Sequence, residues 1–151
     1  MTAAPSSPRP TVGVGAIVWR AGRVLLIRRG QPPRRGEWSL PGGKQEWGET
    51  LEEALRREVF EETALRLGPL ALVDVVDLIA RDDDGRVAHH YTLVDYTAEA
   101  LSADARAGDD AAAVAWFALH ELDALGLWSK TRAVIGRAAR RHPSARSIDA
   151  G

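Results

Sequence analysis

The sequence contains no cysteine, which excludes disulfide cross-links, zinc-thiolate sites, iron-sulfur clusters and thiol nucleophiles together. It also lacks any run of the roughly 18–20 apolar residues needed to cross a bilayer as a helix. The first residues, MTAAPSSPRP, have no apolar centre of the kind a secretory signal carries. Excess charge of either sign is missing as well: 20 Lys+Arg face 21 Asp+Glu, for a formal net charge of -1. No global basic field therefore draws the chain to nucleic acid, and any anion site must be local. No long segment repeats along the chain. These absences lead us to expect a cytoplasmic protein with no membrane partner.

What is present suits one folded unit. A chain of 151 residues can bury about two-thirds of the surface it exposes when unfolded. Its 45% hydrophobic and 27% charged content is close to the globular average and too apolar for general disorder. The Pro/Ser/Ala-rich start and the polar end, SARSIDAG, read as tails. The domain is expected over residues 11–141, flanked by tails at 1–10 and 142–151.

Val12 to Trp19 and Val24 to Ile27, joined by Arg20-Ala21-Gly22, read as a hairpin of two Val/Ile-rich strands. Pro32-Pro33-Arg34-Arg35-Gly36 breaks the pattern, and Trp38-Ser39-Leu40 reads as a short strand before a Pro41-Gly42-Gly43 turn. A helix is predicted from Thr50 to about Ala64. Thr50 and Glu53 form a capping-box pattern, and Leu51, Ala54, Leu55 and Val59 give one apolar stripe. Strands are predicted over Leu70 to Ile79 and Val87 to Tyr96, with Asp82-Asp83-Asp84-Gly85 as the turn between them. A strand over Ala113 to Phe117 and helices over Leu119 to Leu125 and Ser129 to Arg141 complete the chain. This order fits a mixed or mostly antiparallel sheet sandwiched by helices better than regular βαβ alternation. Trp19, Trp116 and Trp128 are assigned to core or helix packing.

Glu58, Glu61 and Glu62 fall at i, i+3 and i+4, so on a helix they share one face, turned away from the apolar stripe. Such a trio is either a solvated acidic face or a cation site, since hard divalent ions take several oxygen ligands. The company these residues keep favours the second. Gly43, five residues, Glu49, seven residues, then Arg57-Glu58-Val59-Phe60-Glu61-Glu62-Thr63-Ala64-Leu65 resembles the Nudix box, G-x5-E-x7-R-E-U-x-E-E-x-G-U with U aliphatic. Every fixed position matches except the penultimate glycine, which is Ala64 here. Gly36 to Gly43 is similar to the usual entry into that box.

The resemblance implies an α/β fold, the Nudix α/β/α sandwich with a mixed sheet. It also implies hydrolysis of a nucleoside diphosphate linked to a further group, with ADP-ribose or a similar sugar nucleotide as the expected substrate. A (d)NTP diphosphatase releasing pyrophosphate is the alternative, and a nucleotide sensor without turnover a third. By position, Glu58, Glu61 and Glu62, with a carbonyl from Gly42 or Gly43, would bind Mg²⁺ or Mn²⁺. Glu49 and Arg57 would orient that set. The general base would be Glu61, Glu62 or an aspartate of a later loop, Asp110 before Asp109. The partner implied is a small nucleotide; capped RNA stays open as a substrate, and related enzymes often form homodimers.

Several side features stand outside the box. Arg28, Arg29, Arg34 and Arg35 form a basic cluster, from which Arg29 and Arg34 are the candidates to hold phosphate. Trp47 lies in the loop between Gly43 and Glu49, either stacked on a base or ribose or packed under the loop. His89 and His90 are adjacent and on a strand must face opposite ways. Ala64, where a glycine is usual, implies either a strained turn or a helix that continues toward Gly68.

Overall fold

The computed structural model describes residues 8–31, 34–108 and 110–141. The tails expected at 1–10 and 142–151 fall almost wholly outside these residues, as does Asp109. Among the described residues the order is β1 (Thr11–Arg20), β2 (Arg23–Arg29), β3 (Trp38–Ser39), β4 (Gly42–Lys44), α1 (Leu51–Thr63), β5 (Ala71–Arg81), β6 (Val87–Glu99), β7 (Ala111–Phe117), a 3₁₀ helix (Leu119–Leu125) and α2 (Ser129–Arg141). All the predicted elements are found. The differences are one strand, β4, where a turn was expected, and a 3₁₀ rather than an α-helical segment after β7.

The strands form one mixed sheet in the order β3-β2-β1-β6-β5, with β4 on β1 and β7 on β2. β1 and β6 run parallel from Thr11 opposite Tyr91 to Trp19 opposite Glu99, while the other named pairs are antiparallel. The β1–β2 connection places Ala21 (φ 50°) and Gly22 (φ 75°) both at positive φ, the backbone that matches the twist of a tight hairpin.

Period-two alternation along β1 divides the core into two layers. Val14, Ala16 and Val18 join Leu25, Ala54, Leu55 and Val59 under α1. Ile17 and Trp19 join Val24, Leu26, Leu122, Val134, Ile135 and Ala138 under the 3₁₀ helix and α2. The sheet is therefore covered on both faces, which is the α/β/α arrangement. Trp19 is fully buried, and its indole N–H donates to Thr97 Oγ1 at 2.9 Å, whose hydroxyl donates to the Ile17 carbonyl at 2.9 Å. Trp116 is only half-buried, with its N–H on the Ala103 carbonyl at 3.2 Å. Trp128 is half-buried at the foot of α2, with the Lys130 ammonium 5.6 Å from its ring centre.

Candidate active site

Helix α1 starts as its sequence predicts: Thr50 Oγ1 accepts from the Glu53 N–H at 3.1 Å, satisfying one of the donors a helix start leaves free. Ala54, Leu55, Val59 and Thr63 are its buried residues, which leaves Arg57, Glu58, Glu61 and Glu62 along the flank next to β4. The helix ends at Ala64 in a left-handed conformation (φ 62°, ψ 12°), with its N–H on the Phe60 carbonyl at 2.9 Å. Of the two exits allowed by the missing glycine, the chain takes the strained turn.

Arg57 organises the carboxylates. Nε and Nη2 grip Glu49 at 2.7 and 2.9 Å, Nη1 reaches Glu58 at 2.8 Å and Glu61 at 3.4 Å, and Nη2 also donates to the Lys44 carbonyl at 3.1 Å. That engages all five donors of a guanidinium. The paired geometry with Glu49 is the bidentate fork that makes Arg–carboxylate contacts strong and directional. It holds the Glu49 carboxyl down at about 2 and raises the Arg57 pKa above its ordinary value, with Glu49 the principal cause.

Strand β4 explains how glycine meets carboxylate. The bonds Ala16 N–H to Pro41 O (2.9 Å) and Gln45 N–H to Val12 O (3.0 Å) set the ladder's phase, so Val14 and Gly43 between them are a hydrogen-bonded pair. The Gly43 carbonyl is thereby turned into the sheet. Gly42 and Lys44 point their backbone groups the other way: the Gly42 N–H donates to Glu62 Oε2 at 3.2 Å, and the Lys44 carbonyl meets Arg57. Of the two carbonyls expected from the sequence, only that of Gly42 faces α1. Gly43 serves by lacking a side chain, since a Cβ there would collide with the Glu58 carboxylate.

Burial pushes the Glu58 carboxyl up against the pull of Arg57. Burial pushes Glu62 up to about 8, with the Gly42 N–H and Arg29 opposing and Glu58 and Asp110 reinforcing. Asp110 and Arg29 thus stand within the electrostatic reach of Glu62. Asp110 is fixed there by the 105–110 loop, which docks on the end of α1: Arg106 N–H donates to the Thr63 carbonyl and Gly108 N–H to the Glu62 carbonyl, both at 2.8 Å, and the Gly30 N–H donates to the Asp110 carbonyl at 3.1 Å. Gly108 is required, because a Cβ would collide with the Glu61 carbonyl.

In this arrangement no three His, Asp or Glu side chains among the described residues converge on one point. Glu58 is turned to Arg57 and Glu62 to the Gly42 N–H. The donor set nevertheless fits a hard cation: oxygen ligands only, two carboxylates desolvated beyond what one guanidinium and one amide compensate, and a cradle at Gly43 cleared of a side chain.

Other expected residues fall elsewhere. Arg28 lies over the Trp38 ring at 5.8 Å, and Arg35 donates to the Gly30 carbonyl at 3.1 Å. Arg34 is exposed at positive φ (63°) in the β2–β3 connection, and no contact joins it to the carboxylates, so of the four arginines Arg29 is the one brought to Glu62. Trp47 is not packed under its loop: it is fully exposed at the tip of a tight turn closed by the Glu49 N–H on the Glu46 carbonyl at 3.0 Å. His89 stacks with Tyr91 at 6.4 Å, and both histidines line an open cavity with Pro8 to Thr11, among residues none of which belongs to the carboxylate cluster. Sequence reasoning missed the Lys44 carbonyl and Gly108; the isolated glycine in a polar loop was the available signal for the latter.

Comparison with known proteins agrees with this geometry. The chain is 36% identical over 116 residues to an ADP-ribose pyrophosphatase of Methanocaldococcus jannaschii, covering 77% of this chain and 66% of that protein. It is 40% identical over 116 residues to a Mycobacterium tuberculosis protein with the provisional name 8-oxo-dGTP diphosphatase 2, covering 74% and 77%. The crystal structure of a MutT NUDIX hydrolase from Burkholderia pseudomallei superposes with a TM-score of 0.76 at 37% identity, covering 86% of this chain and 98% of that one. The NUDIX domain model matches residues 9–138, so the chain belongs to the Nudix family.

Proposed function

We propose that this Nudix domain hydrolyses the pyrophosphate bond of a nucleoside diphosphate linked to a further group, giving a nucleoside monophosphate and the phosphorylated group. The observation that carries the reading is the gathering of two carboxylates against the glycine strand β4, Glu58 by an arginine whose donors are all engaged and Glu62 by the Gly42 N–H. Glu58, Glu61, Glu62 and the Gly42 carbonyl would hold Mg²⁺ or Mn²⁺. When bound, the cation neutralises phosphate oxygens and acidifies water. Arg57 and Glu49 orient the set, and Arg29 offers its guanidinium to a phosphate oxygen. The proton of the attacking water goes to a carboxylate left free of the cation: Glu61 or Glu62 within the box, or Asp110, which stands within the electrostatic reach of Glu62.

ADP-ribose is the substrate supported by the M. jannaschii relative. The M. tuberculosis relative supports a second reading, a (d)NTP diphosphatase releasing pyrophosphate. The same phosphate-handling groups serve both. Mass-spectrometric product analysis with ADP-ribose and the (d)NTPs, each with Mg²⁺ and with chelator, tests the class: metal-dependent nucleoside monophosphate is expected. Glu62→Gln is expected to lower kcat by at least ~10²-fold with thermal stability retained. Near-native turnover in that folded variant would remove the proposed site.

A further inference from the structure

The open cavity bounded by residues 8–11 and 87–91 has a volume of about 380 Å³, and nothing in the proposed reaction uses it. Alternation along β1 sends Val14, Ala16 and Val18 to the side of α1 and Ile17 and Trp19 to the side of α2, so Thr11 faces the α2 side. Tyr91 stands opposite Thr11 in the parallel ladder and shares its side. His89 stacks with Tyr91, the ring centres 6.4 Å apart and the planes 29° apart. Glu58 packs over Gly43, which pairs with Val14, and thus lies on the opposite side of the sheet. Further along β6, Leu93 fills the place a Cβ of Gly13 would take and stands between the cavity and Asp95, which is 6% exposed. The cavity is therefore a separate place on the molecule, not an extension of the carboxylate cluster.

Its lining carries one formal charge. No hydrogen bond or ion pair joins the Arg9 guanidinium to another described residue, and no Asp or Glu lines the cavity. The acidic turn that follows β5 is occupied with itself: Asp82 Oδ1 accepts from the Asp84 and Arg86 N–H groups at 3.0 and 2.9 Å, and Arg81 and Arg86 flank the run. An uncompensated guanidinium beside a concave surface suits a phosphate, which its fork of donors matches. Next to it, His89 and Tyr91 offer nearly parallel rings, and aromatic side chains hold a nucleobase by its face, whichever base it is. The volume sits at the small end of ligand cavities, roughly 300–1,000 Å³, which suits one mononucleotide and is small for a dinucleotide.

We infer that this cavity is a second nucleotide site, taking a nucleoside monophosphate with its base on His89 and Tyr91 and its phosphate on Arg9. The proposed reaction releases a nucleoside monophosphate, so the site takes the enzyme's own product, a step that rests on that reading. The binding itself involves neither metal nor catalysis and is tested apart from them.

Calorimetric titration of the full chain with AMP in chelator is the test, because the carboxylate cluster without a cation repels a phosphate. AMP is expected to bind with Kd below about 1 mM, and amide NMR signals should shift at Arg9, Thr11 and residues 87–91, not in β4 or α1. Adenosine and ribose 5-phosphate, each offering half of the ligand, should bind at least ~10-fold more weakly than AMP. Arg9→Ala and His89→Ala should each weaken AMP by at least ~5-fold, with thermal stability and metal-dependent hydrolysis unchanged. No AMP binding in chelator, shifts confined to β4 and α1, ribose 5-phosphate bound as tightly as AMP, or AMP binding unaffected by Arg9→Ala would each overturn the inference. Hydrolysis by a chain that binds no AMP in chelator would leave the proposed function standing, whereas AMP held at the cavity of a chain that hydrolyses nothing would remove that function and keep the site.

Discussion

At the scale of single residues, Ala64 gives the sharpest expectation. Its φ of 62° lies where a Cβ crowds the following carbonyl, at about 1–2 kcal/mol. Glycine relieves that strain but loses about 0.4–1 kcal/mol to the freedom of the unfolded chain. Ala64→Gly should therefore stabilise by about 0.5–1 kcal/mol and raise Tm by about 1–4 °C, with kcat unchanged, since the carboxylates precede it. A lower Tm in a thermal melt would show that the surrounding contacts, not the left-handed turn, dominate. Asp95 is the opposite kind of residue: its buried carboxylate opposes folding, and removing the charge relieves it.

The scale of elements is where sequence was most and least informative. Helix α1 was legible to within a residue because its cap, its apolar stripe and its carboxylates repeat at helical spacing. Strand β4 was not legible, because Pro-Gly-Gly carries turn chemistry and its pairing is set by β1, some thirty positions earlier. Nor was the choice between Gly42 and Gly43, which depends on ladder phase. The loop after β6 showed only an Asp-rich stretch; its docking on α1 needs Gly108 and the α1 carbonyls together. Gly108→Ala is expected to destabilise by about 1–3 kcal/mol and to lower kcat by shifting Asp110 and the end of α1 together. Full activity and an unchanged melt would mean that the loop is free to stand off the helix.

For the whole molecule, the balance of carboxyl groups sets the response to pH. Glu62 is raised to about 8 and Asp95 to about 6, so the folded chain holds more protons than the unfolded one from about pH 4 up to those values. Stability therefore falls as pH rises through this window, by roughly 3 kcal/mol from Asp95 alone. Glu49 acts in the opposite sense, but only as pH falls below its ordinary value toward 2. Melts without metal should show Tm declining between about pH 4 and pH 8, and Asp95→Asn should flatten the part of the decline below about pH 6 while leaving the part above it to Glu62. Millimolar Mg²⁺ should raise Tm most at the alkaline end, by mass action on the ionised site. A flat profile, or equal Mg²⁺ effects at both ends, would count against charged, cation-accepting carboxylates at Glu62. The sheet's outer strand, β5, is guarded at the same scale: Asp74 Oδ1 accepts from the Val75 N–H at 2.9 Å, and Lys130 Nζ donates to the Asp77 carbonyl at 2.8 Å, occupying edge groups that would otherwise recruit another strand.

The seating of Gly108 on the Glu61 carbonyl also bears on how such domains can be recombined. The 101–110 segment looks like an interchangeable insert, the natural place to graft new specificity. Yet two of its amides complete the final turn of α1, and Asp110 in turn closes on Gly30 at the end of β2. A transplanted loop must arrive with a residue lacking Cβ at the matching position and with the same number of residues on to Asp110. Otherwise the graft unwinds the helix end that carries Glu61 and Glu62, and what looks like a change of substrate is the loss of the enzyme.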